Sequence, residues 1–264
     1  MNTARYGGLE IRVTSQFTLA WADVGSGADK NFAAYNVGGF GSIGEWKTLA
    51  QLGRPSFDDI NGKVAAIQVR AVSPGDGLLR PPTGFTKIWG DHGTGSDKDG
   101  SVWRPVPPSG YVALGDVFVS GYNSPNPAQY ACVRKDAVGG HRYVREARIG
   151  GEIWNDLGSG GDRDVSVWAV QAPPYPPDRV DRLIMGVDGF ITNPAYSKPE
   201  QPVYVLDLPA LVVKNEQAPG PVLTSHAQPV KETLQTVERV VTVPCTLVAD
   251  PGRTPAWQVE HSPF

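Results

Sequence analysis

One pattern of special residues occurs three times in this chain, and it limits the possible folds more than any other feature. Residues 21–35 are WADVGSGADKNFAAY, residues 89–103 are WGDHGTGSDKDGSVW, and residues 154–168 are WNDLGSGGDRDVSVW. The shared form is Trp-x-Asp-x-Gly-[Ser/Thr]-Gly-x-Asp-[Lys/Arg]-[Asn/Asp], with an aromatic residue at the end. Three copies at nearly constant spacing indicate an internally repeated fold.

The flanking residues extend each copy into a unit of about 65 residues. We assign the units to residues 9–75, 80–140 and 145–213, within a domain of residues 1–213. Alternation along Val165, Ser166, Val167 and Trp168 is typical of strands, so each unit is predicted to hold three or four of them. One small sheet cannot bury its own apolar face, whereas three sheets around a shared core can.

The predicted fold is therefore all-β, with three repeats in a pseudo-threefold arrangement. A β-prism is favoured and a β-trefoil comes second. The composition agrees, because Gly 31 and Pro 24 are high counts that suit many tight turns between short strands. Only Ile43 to Leu52 has helical spacing, which predicts a helix special to the first unit.

Residues 214–264 do not repeat. The stretch from Asn215 to Pro229 is polar and contains prolines, which predicts a linker. Leu234 to Val248 then alternates as an extended strand would, and it is interpreted as the possible start of a missing domain.

Charge and hydropathy exclude several classes of function. Lys+Arg 24 against Asp+Glu 27 gives a net charge of −3, without the basic excess that nucleic-acid binders show. No apolar run is long enough to span a bilayer, so the chain is not expected to be transmembrane. No secretory signal is visible in Met1 to Arg12, which predicts a cytoplasmic protein or one exported without a leader.

The repeated loop has two interpretations as a site. Its oxygen-bearing side chains could hold Ca²⁺, and the candidate metal ligands are Asp91, Asp97, Asp99, Asp156, Asp162 and Asp164. The alternative is structural: the first Asp accepts hydrogen bonds from turn N–H groups, and glycines supply positive φ. We favour the structural interpretation and expect no obligatory cofactor, with Ca²⁺ as the possible one.

The tryptophan that opens each copy also has a structural and a binding interpretation. It can pack in the core, as large aromatic side chains usually do. It can instead lie exposed beside Asp and glycine N–H groups, where a sugar ring would stack on the indole. The candidate ligand-binding residues are Trp21, Asp23, Asp29, Trp89, Asp91, Asp97, Trp154, Asp156 and Asp162.

Catalysis has little support in the sequence. The four histidines are scattered, and no nucleophile elbow, zinc-protease motif or phosphate-binding loop occurs. Because an active site is rarely present in three copies, the repetition favours binding, and we predict that the chain is not an enzyme.

The middle unit also carries a family resemblance. Ser101-Val102-Trp103-Arg104-Pro105, Gly110-Tyr111, Leu114-Gly115-Asp116 and Cys132-Val133-Arg134, together with the upstream loops, resemble the vacuolar protein sorting-associated protein 62 family. The Trp-Arg-Pro to Leu-Gly-Asp part is also similar to the adaptor-binding repeats of vacuolar-sorting lipid-transfer proteins. Neither resemblance implies a particular activity for individual residues.

Two functional hypotheses follow from the sequence. The first is a recognition module that binds a glycan, or a membrane or protein surface, through the repeated loops; three copies of a weak site would gain avidity. The second is the targeting domain of a pore-forming or insecticidal-type protein whose insertion domain is absent from this chain.

Overall fold

The structure is a computed structural model that describes residues 2–38, 46–173, 182–185, 189–209 and 214–215. Strand β1 (Asn2–Tyr6) precedes the first unit, which holds β2 (Leu9–Thr14), β3 (Phe17–Ala22), β4 (Ala33–Val37), β5 (Leu52–Arg54) and β6 (Ala66–Ala71). The second holds β7 (Leu79–Arg80), β8 (Gly84–Gly90), β9 (Gly100–Val106), β10 (Tyr111–Val112), β11 (Val117–Ser120) and β12 (Cys132–Arg134). The third holds β13 (Val144–Glu146), β14 (Arg148–Asn155), β15 (Ser166–Gln171), β16 (Arg182–Met185), β17 (Phe190–Asn193) and β18 (Tyr204–Pro209), and β19 (Lys214–Asn215) follows.

The helical content of the described residues is limited to two short 3-10 turns, Pro74–Asp76 and Pro127–Gln129. The prediction of an all-β fold is confirmed. The predicted helix is wrong over its described part, because Lys47 and Thr48 form β-bridges to Val69 and Tyr130, and Leu52 begins β5. In this segment, pairing with residues distant in the sequence overrides the helical preference that the local spacing indicates. Residues 39–45 and the predicted strand at Leu234 to Val248 lie outside the described residues.

Each unit contributes two antiparallel sheets, and we name the one that carries the repeated loop the inner sheet and the other the outer sheet. The inner sheets have the same strand order, β3-β4-β5, β8-β9-β11 and β14-β15-β17. The outer sheets are β19-β1-β2-β6, β7-β12-β10 and β13-β18-β16. The isolated bridge between Lys47 and Val69 in the first unit corresponds to the pairing of β10 with β12 in the second unit. The rotation that would relate the units, and the β-prism geometry, stay predictions.

Two large clusters of buried apolar residues lie between these sheets. The outer sheets surround a cluster that includes Ile11, Val133 and Leu206. The inner sheets surround a second cluster, which contains Trp21, Trp89 and Trp154 and which we call the tryptophan core. Because all three units contribute to both clusters, no unit can bury its apolar faces without the others.

The same small irregularity precedes the repeated loop in each unit. The pairing of β3 with β4 shifts between Leu19 and Trp21, that of β8 with β9 shifts between Lys87 and Trp89, and that of β14 with β15 shifts between Glu152 and Trp154. An extra residue in one strand redirects the next side chain. The shift thus turns each tryptophan into the core and leaves the loop beyond it at one end of the inner sheets.

Candidate functional site at the three-loop apex

Three loops connect the first two strands of the inner sheets, and each closes with the same backbone hydrogen bonds. We call them loop 1 (residues 23–31), loop 2 (91–99) and loop 3 (156–164). The N–H of the first Asp donates across the hairpin, to the carbonyls of Phe32, Gly100 and Val165 at 3.1, 3.1 and 3.2 Å. The first glycine has positive φ in every loop, +80° at Gly25, +81° at Gly93 and +90° at Gly158. Only glycine adopts this conformation without strain, so the repeated glycine is required by the turn.

The loops are also bonded to one another in a closed cycle. The Asp97 N–H donates to the carbonyl of Val24 at 2.8 Å, so loop 2 is fixed to loop 1. The Asp162 N–H donates to the backbone carbonyl of His92 at 2.9 Å, and the Asp29 N–H donates to the backbone carbonyl of Leu157 at 3.1 Å. Each loop therefore donates to one neighbour and accepts from the other. This cycle converts three turns into one interlocked surface.

The first Asp of loop 1 turns inward, which is the arrangement that the structural interpretation predicts. Asp23 is 3% exposed. Its Oδ1 accepts the Phe32 N–H at 2.7 Å, and its Oδ2 accepts the indole N–H of Trp154 at 2.9 Å. Burial raises the pKa of Asp23, and the hydrogen bonds to the carboxylate oppose that rise. Asp23 thus joins loop 1 to the tryptophan core of the third unit.

Asp156 and Asp91 are buried in the same way but have different partners. Asp156 Oδ1 accepts the Val165 N–H at 2.9 Å, and burial raises the pKa of Asp156. Asp91 Oδ1 accepts the hydroxyl of Tyr122 at 2.8 Å. Burial, and the carboxylate of Asp91 after it, raise the pKa of Tyr122, which keeps the phenol protonated as the donor.

Tyr122 has a counterpart in Tyr196, whose hydroxyl lies near the carboxylate of Asp156, and sequence reasoning missed both tyrosines. Burial raises the pKa of Tyr196, and the charge of Asp156 adds to that rise. Each tyrosine lies on the chain that follows the last strand of its inner sheet, outside the repeated pattern. The surrounding sequences, GYNSP and PAYSK, share too little to identify the two as equivalent.

The tryptophans that open the three copies pack against one another. The Trp21 ring centroid lies 5.7 Å from that of Trp89 and 5.8 Å from that of Trp154, and Trp89 and Trp154 are 6.1 Å apart, all edge to face. They are 2%, 2% and 0% exposed. The prediction that Trp21, Trp89 and Trp154 stack on a ligand is therefore wrong, because other rings already cover their faces.

Burial also removes the first aspartates from the predicted ligand set. Asp23, Asp91 and Asp156 are 3%, 4% and 3% exposed, so a ligand at the loop surface cannot reach them in this structure. Asp29, Asp97 and Asp162 are exposed. These three are the predicted site residues that remain available.

The predicted Ca²⁺ ligands do not come together. Among the residues that the structure describes, no group of three or more His, Cys, Asp or Glu side chains could hold a metal ion. The reason is that the buried carboxylates of Asp91 and Asp156 have turned inward to protein donors. The convergence that a Ca²⁺ site would require is therefore not found for the two candidate sets, which are Asp91, Asp97 and Asp99 in loop 2 and Asp156, Asp162 and Asp164 in loop 3.

The later aspartates point across to the neighbouring loop instead. A Cβ added to Gly25 would lie 2.5 Å from the Asp97 carboxylate, and one added to Gly93 would lie 2.6 Å from that of Asp162. Asp29 lies near Gly158 in the same manner. Two apolar side chains of the same loops are also exposed, Val24 at 39% and Leu157 at 50%. We call this exposed surface, formed by residues 24–30, 92–98 and 157–163, the apex.

Two grooves run down from the apex between neighbouring units. The first groove is a cavity of about 660 Å³ between β3 and loop 2, and Leu19, Val119 and Lys98 are among its lining residues. The second is a cavity of about 430 Å³ between β8 and loop 3, lined by Lys87, His92 and Arg163 among others. The two occupy equivalent positions in the repeat but differ in charge.

Comparison with known proteins places the chain in a family. The family model described as vacuolar protein sorting-associated protein 62 matches residues 1–172, well over half of the 264 residues. The chain belongs to this family. A search of curated protein sequences found no match. The family match confirms the resemblance to the vacuolar protein sorting-associated protein 62 family that the middle unit shows.

Among solved structures, the chain is similar to GNIP1Aa from Chromobacterium piscinae. The TM-score is 0.56 at 29% sequence identity, and the match covers 74% of this chain. It covers only 34% of GNIP1Aa, so this chain corresponds to about a third of that protein. Neither comparison points to catalysis. Among the described residues, no helix is long and apolar enough to cross a membrane.

Proposed function

We propose that this family member is a non-enzymatic recognition module whose apex binds a glycan on a cell or membrane surface. The observation that supports this proposal is the closed cycle of hydrogen bonds from Asp29, Asp97 and Asp162 to the neighbouring loops. It holds three chemically similar loops on one face. A surface that is fixed before binding loses less conformational entropy when a ligand arrives.

The chemistry of the apex suits hydroxyl-rich ligands. The exposed carboxylates of the three aspartates accept hydrogen bonds from sugar hydroxyls, and the side chains of Lys30, Lys98 and Arg163 donate to sugar oxygens. Apolar carbon at Leu157 offers contact to the C–H face of a pyranose. Three adjacent weak sites raise affinity for a branched or clustered glycan through avidity.

The test is binding of the full chain to a glycan array. The triple variant Asp29→Asn, Asp97→Asn, Asp162→Asn removes the exposed carboxylate charges and keeps the backbone hydrogen bonds. We expect the wild type to bind a defined set of glycans and the triple variant to lose that binding while its melting temperature stays within a few degrees. Equal binding by the two proteins, or none by the wild type, would contradict the proposal.

A matched control carries the same loss of charge elsewhere. Asp58, Asp136 and Glu200 are exposed and lie outside the apex. The variant Asp58→Asn, Asp136→Asn, Glu200→Gln is expected to bind glycans as the wild type does. Loss of binding in this control as well would show that net charge, not the apex, determines the affinity.

A second candidate function is favoured by the comparison with GNIP1Aa. Because the match covers 34% of that chain, the same fold there is part of a longer polypeptide. This is the arrangement expected of the targeting domain of a pore-forming or insecticidal-type protein. Binding of the chain to phosphatidylcholine vesicles without release of an enclosed dye would support this candidate, and no binding at saturating lipid would argue against it.

A further inference from the structure

The three junctions between units differ at one position of the repeat, and this difference points to a specific site. The residue two places before the opening tryptophan is Leu19, Lys87 and Glu152 in the three units, and it faces the basic residue of the adjoining loop. At the third junction, Glu152 forms an ion pair with Lys30 at 2.8 Å, which spans the space between the units.

The second junction is positively charged. Lys87 and Arg163 both line the second groove. The ammonium of Lys87 lies 4.8 Å from the ring centroid of Tyr122, a cation–π contact that places this long side chain along the wall of the groove. The second groove is accordingly cationic overall, since these two cations are accompanied by one carboxylate, that of Asp162, among its lining residues.

Among the described residues, the first junction has neither an ion pair nor a second cation. Leu19 cannot pair with Lys98, and it remains 46% exposed over the first groove. The cavity of about 660 Å³ lies within the range of small-molecule sites, roughly 300–1,000 Å³. Of the two described grooves, this one is both larger and without excess charge, since its charged lining residues are the adjacent pair Asp97 and Lys98.

The polar groups of the first groove are neutral and available. The side chains of Ser120, Asn123 and Gln129 line it, and they make no hydrogen bond to the residues that the structure describes. Amides and hydroxyls both donate and accept, which is the pattern that sugar hydroxyls require. Apolar carbon from Leu19 and Val119 lies alongside them.

We propose that the first groove binds one or two residues of a neutral saccharide. This inference rests on the proposed function and identifies the first junction, rather than all three, as the site with the highest affinity. An aliphatic chain is a poorer occupant, because it would bury the free amides without partners. An anionic ligand lacks the cationic lining that it would find in the second groove.

The test uses the ¹⁵N-labelled full chain titrated with methyl mannoside, methyl galactoside, methyl glucoside and N-acetylglucosamine, each at millimolar concentration. Side-chain amide signals of Asn123 and Gln129 are followed in proton–nitrogen correlation spectra. We expect at least one of these sugars to shift both signals. Sodium octanoate is the aliphatic probe, and shifts that appear only with octanoate would overturn the proposal, as would the absence of shifts with all four sugars.

One substitution converts the first junction to the chemistry of the third. Leu19→Glu places a carboxylate opposite Lys98, as Glu152 faces Lys30, and is expected to close the groove and abolish the shifts. Val106→Glu is the matched control, since Val106 is 40% exposed and lies outside the groove. Asn123→Ala removes one hydrogen-bonding group and is expected to weaken binding about fivefold.

A further variant separates this proposal from the proposed function. Asp29 and Asp162 belong to the apex and do not line the first groove. If Asp29→Asn, Asp162→Asn weakens array binding while the sugar shifts at Asn123 persist, both proposals hold. If Leu19→Glu leaves the shifts unchanged although array binding is intact, the groove proposal fails and the apex proposal stands. An array without any bound glycan refutes the apex proposal independently of the spectra.

Discussion

Removal of the Asp156 carboxylate tests whether the buried first aspartates hold the loops. Asp156 is 3% exposed, and its Oδ1 accepts the N–H of Val165 at 2.9 Å. The hydroxyl of Tyr196 lies near the same carboxylate. In Asp156→Ala the N–H of Val165, a residue with 0% exposure, loses its side-chain partner in a place that water does not reach.

Two opposing effects determine the magnitude. A buried donor without a partner costs about 1–3 kcal/mol. Burial raises the pKa of Asp156, so the charged carboxylate itself is destabilised in the folded state, and its removal returns part of that cost. We expect the free energy of unfolding to fall by about 2 kcal/mol. For a folded region of this size that corresponds to a melting temperature lower by about 4–8 °C.

The assay is urea unfolding followed by tryptophan fluorescence, with a thermal melt by circular dichroism. Asp162→Ala is the control in the same loop, because Asp162 is exposed and contributes its backbone N–H, which alanine retains. It is expected to change the free energy of unfolding by less than about 0.5 kcal/mol. Equal midpoints for Asp156→Ala and Asp162→Ala would refute a structural role for the buried carboxylate.

Three further predictions concern other parts of the core. A Cβ at Gly100 would overlap the indole of the first opening tryptophan, so Gly100→Ala should unfold the chain at a markedly lower urea concentration than Gly75→Ala, where a Cβ meets nothing within 4 Å. Because the pKa of Asp156 is raised in the folded state above its ordinary value of 3.8, the stability contributed by this group is present below pH 3.8 and is lost as the pH rises through the folded pKa. The variant Asp156→Asn does not titrate, so its free energy of unfolding should increase relative to that of wild type between pH 4 and pH 7. Parallel urea titrations measure this difference, and a difference that stays constant with pH would contradict the prediction. Burial raises the pKa of Cys132 to about 12, so in a Cys245→Ala background a thiol reagent should label Cys132 only after denaturation, and labelling of the native protein would contradict its burial.

Much of the fold could be predicted from the sequence because the same turn-forming residues occur in all three copies of the pattern. The glycines at 25, 93 and 158 require positive φ, and the alternation after each loop requires a strand, so all-β structure followed from local residues alone. The helix predicted in the first unit failed for the opposite reason. Its spacing was local, whereas the pairing of Lys47 with Val69 is long-range.

The site was predictable in position but not in orientation. The loops that carry the pattern do form one exposed face, yet the sequence does not show which side of each strand faces the core. A register shift before Trp21 and its two counterparts decides that question, and no residue type marks it. The contact of Lys30 with Glu152 and the open space beside Leu19 depend on how units meet, which only the assembled structure shows.

The most direct test of the account is hydrogen exchange of the three amides that close the cycle between loops. Asp29, Asp97 and Asp162 lie in exposed loops, but each N–H donates to the next loop. We predict that all three exchange roughly 100-fold more slowly than the exposed loop amide of Asp58 and that they open together, because breaking one bond opens the cycle. Fast exchange of these amides, at the rate of Asp58, would contradict the claim that the three repeats form one interlocked recognition surface.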